Sequence, residues 1–305
     1  MQYSRRKKKM SGVKSRQEKI VTAIAHIVMI MLCILAIAPF WMMVASSFTS
    51  NDALTKFGYN FWPKVFSTEA YQYILTEWGQ IGHAYVNTIV VTVTGTVVSL
   101  LLVSLAGTAL AQREVPGLKI MFLFVIITML FNGGVVSSYI IYSQVYKIKD
   151  TIFALIIPNL LLNGFNVMLV KNYVQNTIPG ELQEAAEIDG AGLFRIYGTI
   201  ILPLSKPILA TVGLLTAVGY WNDWTNGLYY ITSSRLNTVQ LLLNQMNSNV
   251  QYLASHSEMG LNLQSVPSVS VRMAIAVIGI LPVVVLYPFF QKYFEAGITM
   301  GAVKG

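Results

Sequence analysis

Polar side chains stand inside long apolar runs at spacings that could line a passage. Asn159, Asn163 and Asn166 fall at i, i+4 and i+7, which on one continuous helix places three amides on a common face. Asn222, Asp223 and Asn226 follow further on, interleaved with Tyr220, Trp221, Trp224, Tyr229 and Tyr230; Asn222, Asn226 and Tyr229 repeat the same spacing. Amides and phenols both donate and accept hydrogen bonds, and aromatic faces pack on the apolar side of ring compounds, so the set suits a neutral, polyhydroxylated ligand. The competing reading of each Asn is a bond between helices, worth about 0.6 kcal/mol. Asp223 differs, because an ionisable group in an apolar run is costly and turns toward a bundle interior or a wet cavity. It is the leading candidate for a path through the protein.

Catalytic and metal chemistry find no residues. The single Cys33 has no partner for a disulfide, and His26, His83 and His256 lack ligand spacing. Neither a His-Glu-x-x-His string nor a Ser paired with a base is evident. No Gly-Lys dipeptide occurs, which excludes a Walker A phosphate loop and with it ATP hydrolysis by this chain.

The elements that would position these residues follow from charge. Only 11% of the 305 residues are charged and 54% are hydrophobic, against about 25% charged in soluble domains, so a soluble enzyme is excluded. Asp, Glu, Lys and Arg are absent from 20–51, 78–112, 120–146, 151–170, 207–222 and 273–291. A bilayer helix needs about 20 apolar residues, which five gaps supply directly. The 207–222 gap qualifies only by running on through Asp223 toward Tyr230. Six spans are expected near 20–47, 83–111, 119–146, 151–171, 205–231 and 271–291. The Asn132-Gly133-Gly134 run breaks or bends the third, and Thr88, Thr92, Thr96 and Ser99 form a small-residue packing face on the second.

Eight of the 21 Lys and Arg lie in residues 1–19, and an inside N-terminus puts fifteen of them on the cytoplasmic side. Both termini are then inside. This topology, with attraction to anionic lipid, explains the +8 net charge without nucleic acid. The first apolar run is too long for a cleaved signal h-region, so it is expected to stay as a span. The outer loops are 48–82 and 232–270, and 172–204 is the one long cytoplasmic loop.

That loop contains Pro179, acids at 181, 184 and 187 in a run of good helix formers, then Gly190 and Gly192. The pattern predicts a short helix ended by the glycines, a bend, and a second helix from Leu193 to Leu202. Small Ala185 and Ala186 would let the first helix lie close on another surface, with Glu184 as polar anchor; an ordinary interfacial connector is the alternative.

Glu184-Ala185-Ala186, three residues, Gly190, nine residues, Ile200, one residue, then Leu202-Pro203 resembles the full EAA loop of permeases in binding-protein-dependent ABC importers. Gly219 to Trp224, Thr238 to Leu241, and the end from Gln291 to Gly305 resemble the G-type subunit of the maltose-type carbohydrate branch. Phe131 to Gly134 and Val271 to Ala276 are similar to its subgroup for complex or acidic oligosaccharides.

The resemblance covers nearly all of 20–305 and implies an all-α integral membrane protein with a maltose-permease-like fold. It divides the chain into a basic segment 1–19, a six-span permease domain 20–294 and a cytoplasmic tail 295–305. Coupling to an ATPase subunit would fall to Glu184, Ala185, Ala186, Asp189, Gly190, Ile200, Leu202 and Pro203, and contact between two ATPase subunits to Gly301, Ala302, Val303, Lys304 and Gly305. The substrate path would comprise Asn159, Asn163, Asn166, Tyr220, Asn222, Asp223 and Asn226. A second permease, in a heterodimer, two ATPase subunits carrying ATP and Mg, and an extracytoplasmic solute-binding protein are the implied partners. The setting is a bacterial cytoplasmic membrane, and the cargo an oligosaccharide moved by alternating access. An ion-coupled secondary transporter would call for more intramembrane carboxylates or inverted repeats; it and an ABC importer of a non-sugar solute are the alternatives.

Overall fold

A computed structural model describes residues 16–112, 115–255 and 269–302. In chain order the helices are α1 (Arg16–Ser47), α2 (Asn51–Phe57), α3 (Glu69–Thr76), α4 (Trp78–Ala111), α5 (Leu118–Leu130), α6 (Gly134–Ile140), α7 (Phe153–Ile156) and α8 (Gly164–Thr177). They continue as α9 (Gly180–Ile188), α10 (Leu193–Ile196), α11 (Leu202–Leu204), α12 (Lys206–Trp221), α13 (Thr225–Tyr230), α14 (Val239–Ser255) and α15 (Val269–Ala302). π turns extend α6 over Ile141–Val145 and join α10 to α11 over Tyr197–Ile201. Among the described residues the only β pairing is an isolated antiparallel bridge between Thr49 and Phe66.

The first, second and sixth apolar segments are single helices, α1, α4 and α15. α1 is apolar all the way round and exposes Ile24, Met29 and Leu35, the pattern of a helix whose solvent is lipid or another chain. α1 and α4 are each long and apolar enough to cross a membrane unbroken. Two further pairs qualify as bent spans: α5 with α6 at 118°, and residues 193–204 with α12 at 79°.

The third, fourth and fifth segments are interrupted. The third breaks at Asn132-Gly133-Gly134 as expected: Gly134 takes φ +80° and its N–H donates to Asn132 Oδ1 at 2.9 Å. The fourth is not one helix over 151–171; α7 ends at Ile156 and α8 begins at Gly164. Pro158 has no N–H to continue the ladder, and Asn159 adopts φ +62°, so the chain turns instead. The fifth ends at Trp221 and restarts at Thr225. The expected outer loops also contain helices, α2 and α3 within 48–82 and α14 within 232–270.

α4 is the central post, packed against α8 on one side and α12 on another. Its small residues permit the approach. A Cβ on Gly107 would sit 2.7 Å from Val170 Cβ, and one on Gly95 2.5 Å from the Tyr220 ring. Thr88 and Ser99 are buried on the packed side of α4, where Thr88 Oγ1 also accepts from Val239 N at 3.0 Å. Val103, Val170, Val174, Ile196, Ile201 and Val212 form one core that joins α4, α8 and α12 to the 193–204 segment. A second core unites α3, the start of α4, α14 and the start of α15 through Ile74, Ile81, Leu242, Val271 and Ile275.

Candidate functional site

The breaks in the fourth and fifth segments lock into each other. The turn after α7 takes the carbonyls of Ile156 and Leu160 out of the helix ladder, while Pro158 O accepts from Leu160 N at 2.7 Å and can take a second donor; in an apolar medium such groups need donors from within the protein. Tyr220 Oη donates to Ile156 O at 2.8 Å, Asn226 Nδ2 to Pro158 O at 3.1 Å and Ser99 Oγ to Leu160 O at 3.4 Å. In return Asn166 Nδ2, on α8, donates to Thr216 Oγ1 of α12 at 3.2 Å.

The two restarts share one design. Asn163 Oδ1 accepts from the N–H groups of Phe165 and Asn166 at 3.0 and 3.3 Å, and Asp223 Oδ1 accepts from those of Thr225 and Asn226 at 3.0 and 3.3 Å. Each side chain covers orphan donors at a helix start, and a carboxylate there also meets the positive end of the dipole.

The expected amide face is therefore corrected. Asn159, Asn163 and Asn166 lie on a turn, a cap and a helix, not on one helical face. Asn222, Asn226 and Tyr229 are likewise split by the break after Trp221. Asn166, Tyr220 and Asn226 are buried, with Tyr220 2% exposed, and their polar atoms face the protein itself. Asn159 and Asn222 are exposed and Asp223 is half-buried. Asn222 Nδ2 donates to Val218 O at 3.1 Å, while its Oδ1 accepts from Gln240 Nε2 at 3.4 Å.

Two clefts flank this junction. The first, about 290 Å³, is lined by Leu160, Asn163, Phe165, Asn166, Leu215 and Thr216. The second, about 280 Å³, lies among Trp224, Gln240, Leu243, Asn244, Asn247, Arg272, Met273 and Ala276. The sequence reading missed the second cleft because α14 lay in a segment taken for loop. The signal was there: Gln240, Leu243, Asn244 and Asn247 stand at helical spacing on one side of α14, opposite the buried Leu241, Leu242 and Met246.

Asp150 closes the turn between α6 and α7 onto the end of α13. Its Oδ1 accepts from Thr232 N at 2.6 Å and Ser233 N at 2.9 Å, and its Oδ2 from the Thr232 hydroxyl. These bonds, the Thr232 hydroxyl foremost, hold its carboxyl below the ordinary value of 3.8.

At the other end of the fold the loop over 178–205 is a closed elbow. α9 ends in a Schellman motif: Ala191 N donates to Ala186 O and Gly190 N to Glu187 O, both at 2.9 Å, with Gly190 at φ +77°. Asp189 is the residue at this C-terminus, φ −73°. Gly192 departs from expectation; it is extended at φ −73°, ψ 162° and precedes α10 rather than ending α9. Gln112 Nε2 donates to Gln183 Oε1 at 2.9 Å, tying α9 to the end of α4. Ser104 Oγ and Tyr197 Oη pair at 2.6 Å, and Tyr173 Oη donates to Leu204 O at 3.2 Å.

Ala186 and Ile200 pack on the core of the chain's own helices, whereas Glu184 and Ala185 are exposed, as are Leu202 and Pro203. Three large apolar side chains crown the elbow: Ile188, Leu193 and Phe194, at 86%, 74% and 85% exposure. Of the expected tail, Gly301 and Ala302 end α15, and Val303, Lys304 and Gly305 lie outside the described residues, as do 1–15 of the basic segment.

A bundle of apolar, partly broken helices with an exposed apolar elbow between its fourth and fifth segments is the build of a membrane permease. The chain belongs to the family of binding-protein-dependent transport system inner membrane components, whose model matches residues 110–300. It is 35% identical over 271 residues to protein LplC of Bacillus subtilis (strain 168), covering 89% of this chain and 90% of LplC. It is also 35% identical over 280 residues to the polygalacturonan/rhamnogalacturonan transport system permease protein YtcP of the same organism, covering 91% and 96%. Among solved structures it is similar to a chain of a bacterial ABC transporter involved in the import of the acidic polysaccharide alginate, with TM-score 0.78 and 27% identity over 93% of this chain and all of that one. Members of the family are transport components of the membrane, not catalytic enzymes.

Proposed function

We propose that the chain is one permease subunit of an ATP-driven importer that carries an oligosaccharide across the cytoplasmic membrane by alternating access. A second permease completes the pathway as a heterodimer, two ATPase subunits supply ATP and Mg, and an extracytoplasmic binding protein delivers the cargo. Relatives named for polygalacturonan/rhamnogalacturonan transport and for import of the acidic polysaccharide alginate support the cargo class. Six spans with both termini inside is the topology we assign.

The observation that carries the reading is the elbow. Ile188, Leu193 and Phe194 present an apolar surface that water disfavours, on a frame locked by the Gly190 turn and seated on the same core as α4, α8 and α12. A rigid element exposed on one side and packed on the spans from the other transmits force between a partner and the transport path. Glu184, Ala185 and Asp189 border that surface, and Ala186, Gly190, Ile200, Leu202 and Pro203 hold its shape. The tail 301–305 reaches the ATPase pair. In the pathway Asp223 and Asn163 hold the two broken helices at a fixed angle, Asn166, Tyr220 and Asn226 brace them, and Asn159 and Asn222 are left facing outward.

Glu184→Lys and Gly190→Pro test the elbow. Both should insert in the membrane, assemble with the second permease and lose cargo-stimulated ATP hydrolysis. Normal stimulation in either variant removes the coupling role.

A further inference from the structure

The second cleft holds polar groups that the fold does not consume. Arg272 sits in the first turn of α15; its Nη1 donates to Asn247 Oδ1 at 3.2 Å, while its Nε is buried with no hydrogen-bond partner among the described residues. Half-buried Asn244 makes no side-chain hydrogen bond to a described residue. An arginine placed only for topology extends its head into water, where every donor is solvated. Here a donor is desolvated instead, which is unfavourable until an acceptor arrives. The position adds to the cost: a cation in the first turn of a helix meets the positive end of the dipole, so Arg272 and α15 raise the local potential together. An anion in the cleft neutralises both.

The rest of the wall defines what that anion belongs to. Gln240, Asn244 and Asn247 follow each other along one side of α14, with Gln240 bridged to Asn222, and each amide both donates and accepts as hydroxyl groups require. Trp224, 41% exposed, offers an aromatic face suited to the apolar side of a sugar ring. Asp223, the neighbouring carboxylate, has its Oδ1 engaged by the α13 cap and is not among the lining residues. At about 280 Å³ the space is below the usual range of drug-sized pockets and is that of a small ring rather than of a long chain.

We infer that this cleft is a subsite for one acidic sugar residue of the cargo, with Arg272 binding its carboxylate, Trp224 packing on its ring and the α14 amides on its hydroxyls. The inference rests on the oligosaccharide importer reading. A guanidinium suits the task because its planar fork matches a carboxylate in two bonds.

The test is uptake of trigalacturonate and of its methyl ester by the complete transporter in proteoliposomes. One binding protein is used throughout, so its own selectivity cancels between variant and wild type. Arg272→Gln should lower the ratio of acid to ester uptake about tenfold or more, and Arg272→Lys should restore only part of it. Asn244→Asp, which places a carboxylate in the cleft, should lower the same ratio and supplies the readout if Arg272→Gln does not assemble. An unchanged ratio in the variants that assemble overturns the subsite. Uptake of maltotriose with none of trigalacturonate by the wild type overturns it too, while leaving the importer reading intact. Uptake of no oligosaccharide by a complex that hydrolyses ATP removes the cargo reading itself, and the subsite with it.

Discussion

The two clefts beside the broken helices are nearly equal in size but differ in which polar atoms are left unbonded. In the first, Asn163 caps α8 and Asn166 bonds Thr216, so the amides are engaged within the protein. In the second, Arg272 Nε and the Asn244 amide have no such engagement among the described residues. A polar side chain at membrane depth is thus a poor guide to the transport path on its own. What separates scaffold from recognition is whether its hydrogen bonds are already made.

That contrast predicts graded effects. The largest concerns the elbow, away from both clefts: Gly190→Pro forces φ near −65° where the chain needs +77°, and should abolish stimulated ATP hydrolysis in reconstituted vesicles. Next come the braces of the first cleft. Asn226→Ala removes one of the two donors to the Pro158 carbonyl, which keeps its bond from Leu160 N at 2.7 Å, and should cost about 1 kcal/mol in a denaturant titration in detergent. Tyr220→Phe, which frees only Ile156 O, should cost about 1 kcal/mol. Gln240→Ala, in the second cleft, should leave the midpoint unchanged within about 0.5 kcal/mol. Equal losses from Asn226→Ala and Gln240→Ala would erase the distinction.

The smallest effect lies outside the spans, at Asp150. Its carboxyl titrates below 3.8 because the folded state holds it ionised, so its contribution is complete above the ordinary carboxylate range and fades only as pH falls through the lowered value. Hydrogen exchange at the Thr232 and Ser233 amides should therefore be flat between neutral pH and mildly acidic conditions once corrected for intrinsic rates. Asp150→Ala should speed it throughout that range.

Much of this was legible in the sequence, and the failures have physical causes. Charge gaps report depth in a membrane but not helix continuity, so 151–170 read as one helix although Pro158 and Asn159 turn the chain inside it. Asn132-Gly133-Gly134 was legible because two successive glycines after an Asn weaken a helix, unlike the single Gly95 and Gly107 that serve packing in α4, and Gly190 because a helix end needs a left-handed residue. Gly192 was over-read by the same rule. Helix α14 stayed hidden, since a polar segment between spans resembles a loop until its buried and exposed residues are seen to alternate at helical period. Arg272 stood in the sequence only as one position of the Val271 to Ala276 segment, with no role of its own. Its desolvation depends on α14 folding over it, which no local pattern announces.

The central claim is that the elbow couples this chain to an ATPase that works on delivered oligosaccharide. The direct measurement is ATP hydrolysis by the complex purified through this chain from native membranes, with and without its binding protein loaded with oligosaccharide. The account predicts that two ATPase subunits copurify and that loaded binding protein stimulates hydrolysis severalfold, a response lost in Glu184→Lys. Purification without an ATPase, or hydrolysis indifferent to loaded binding protein, would contradict it.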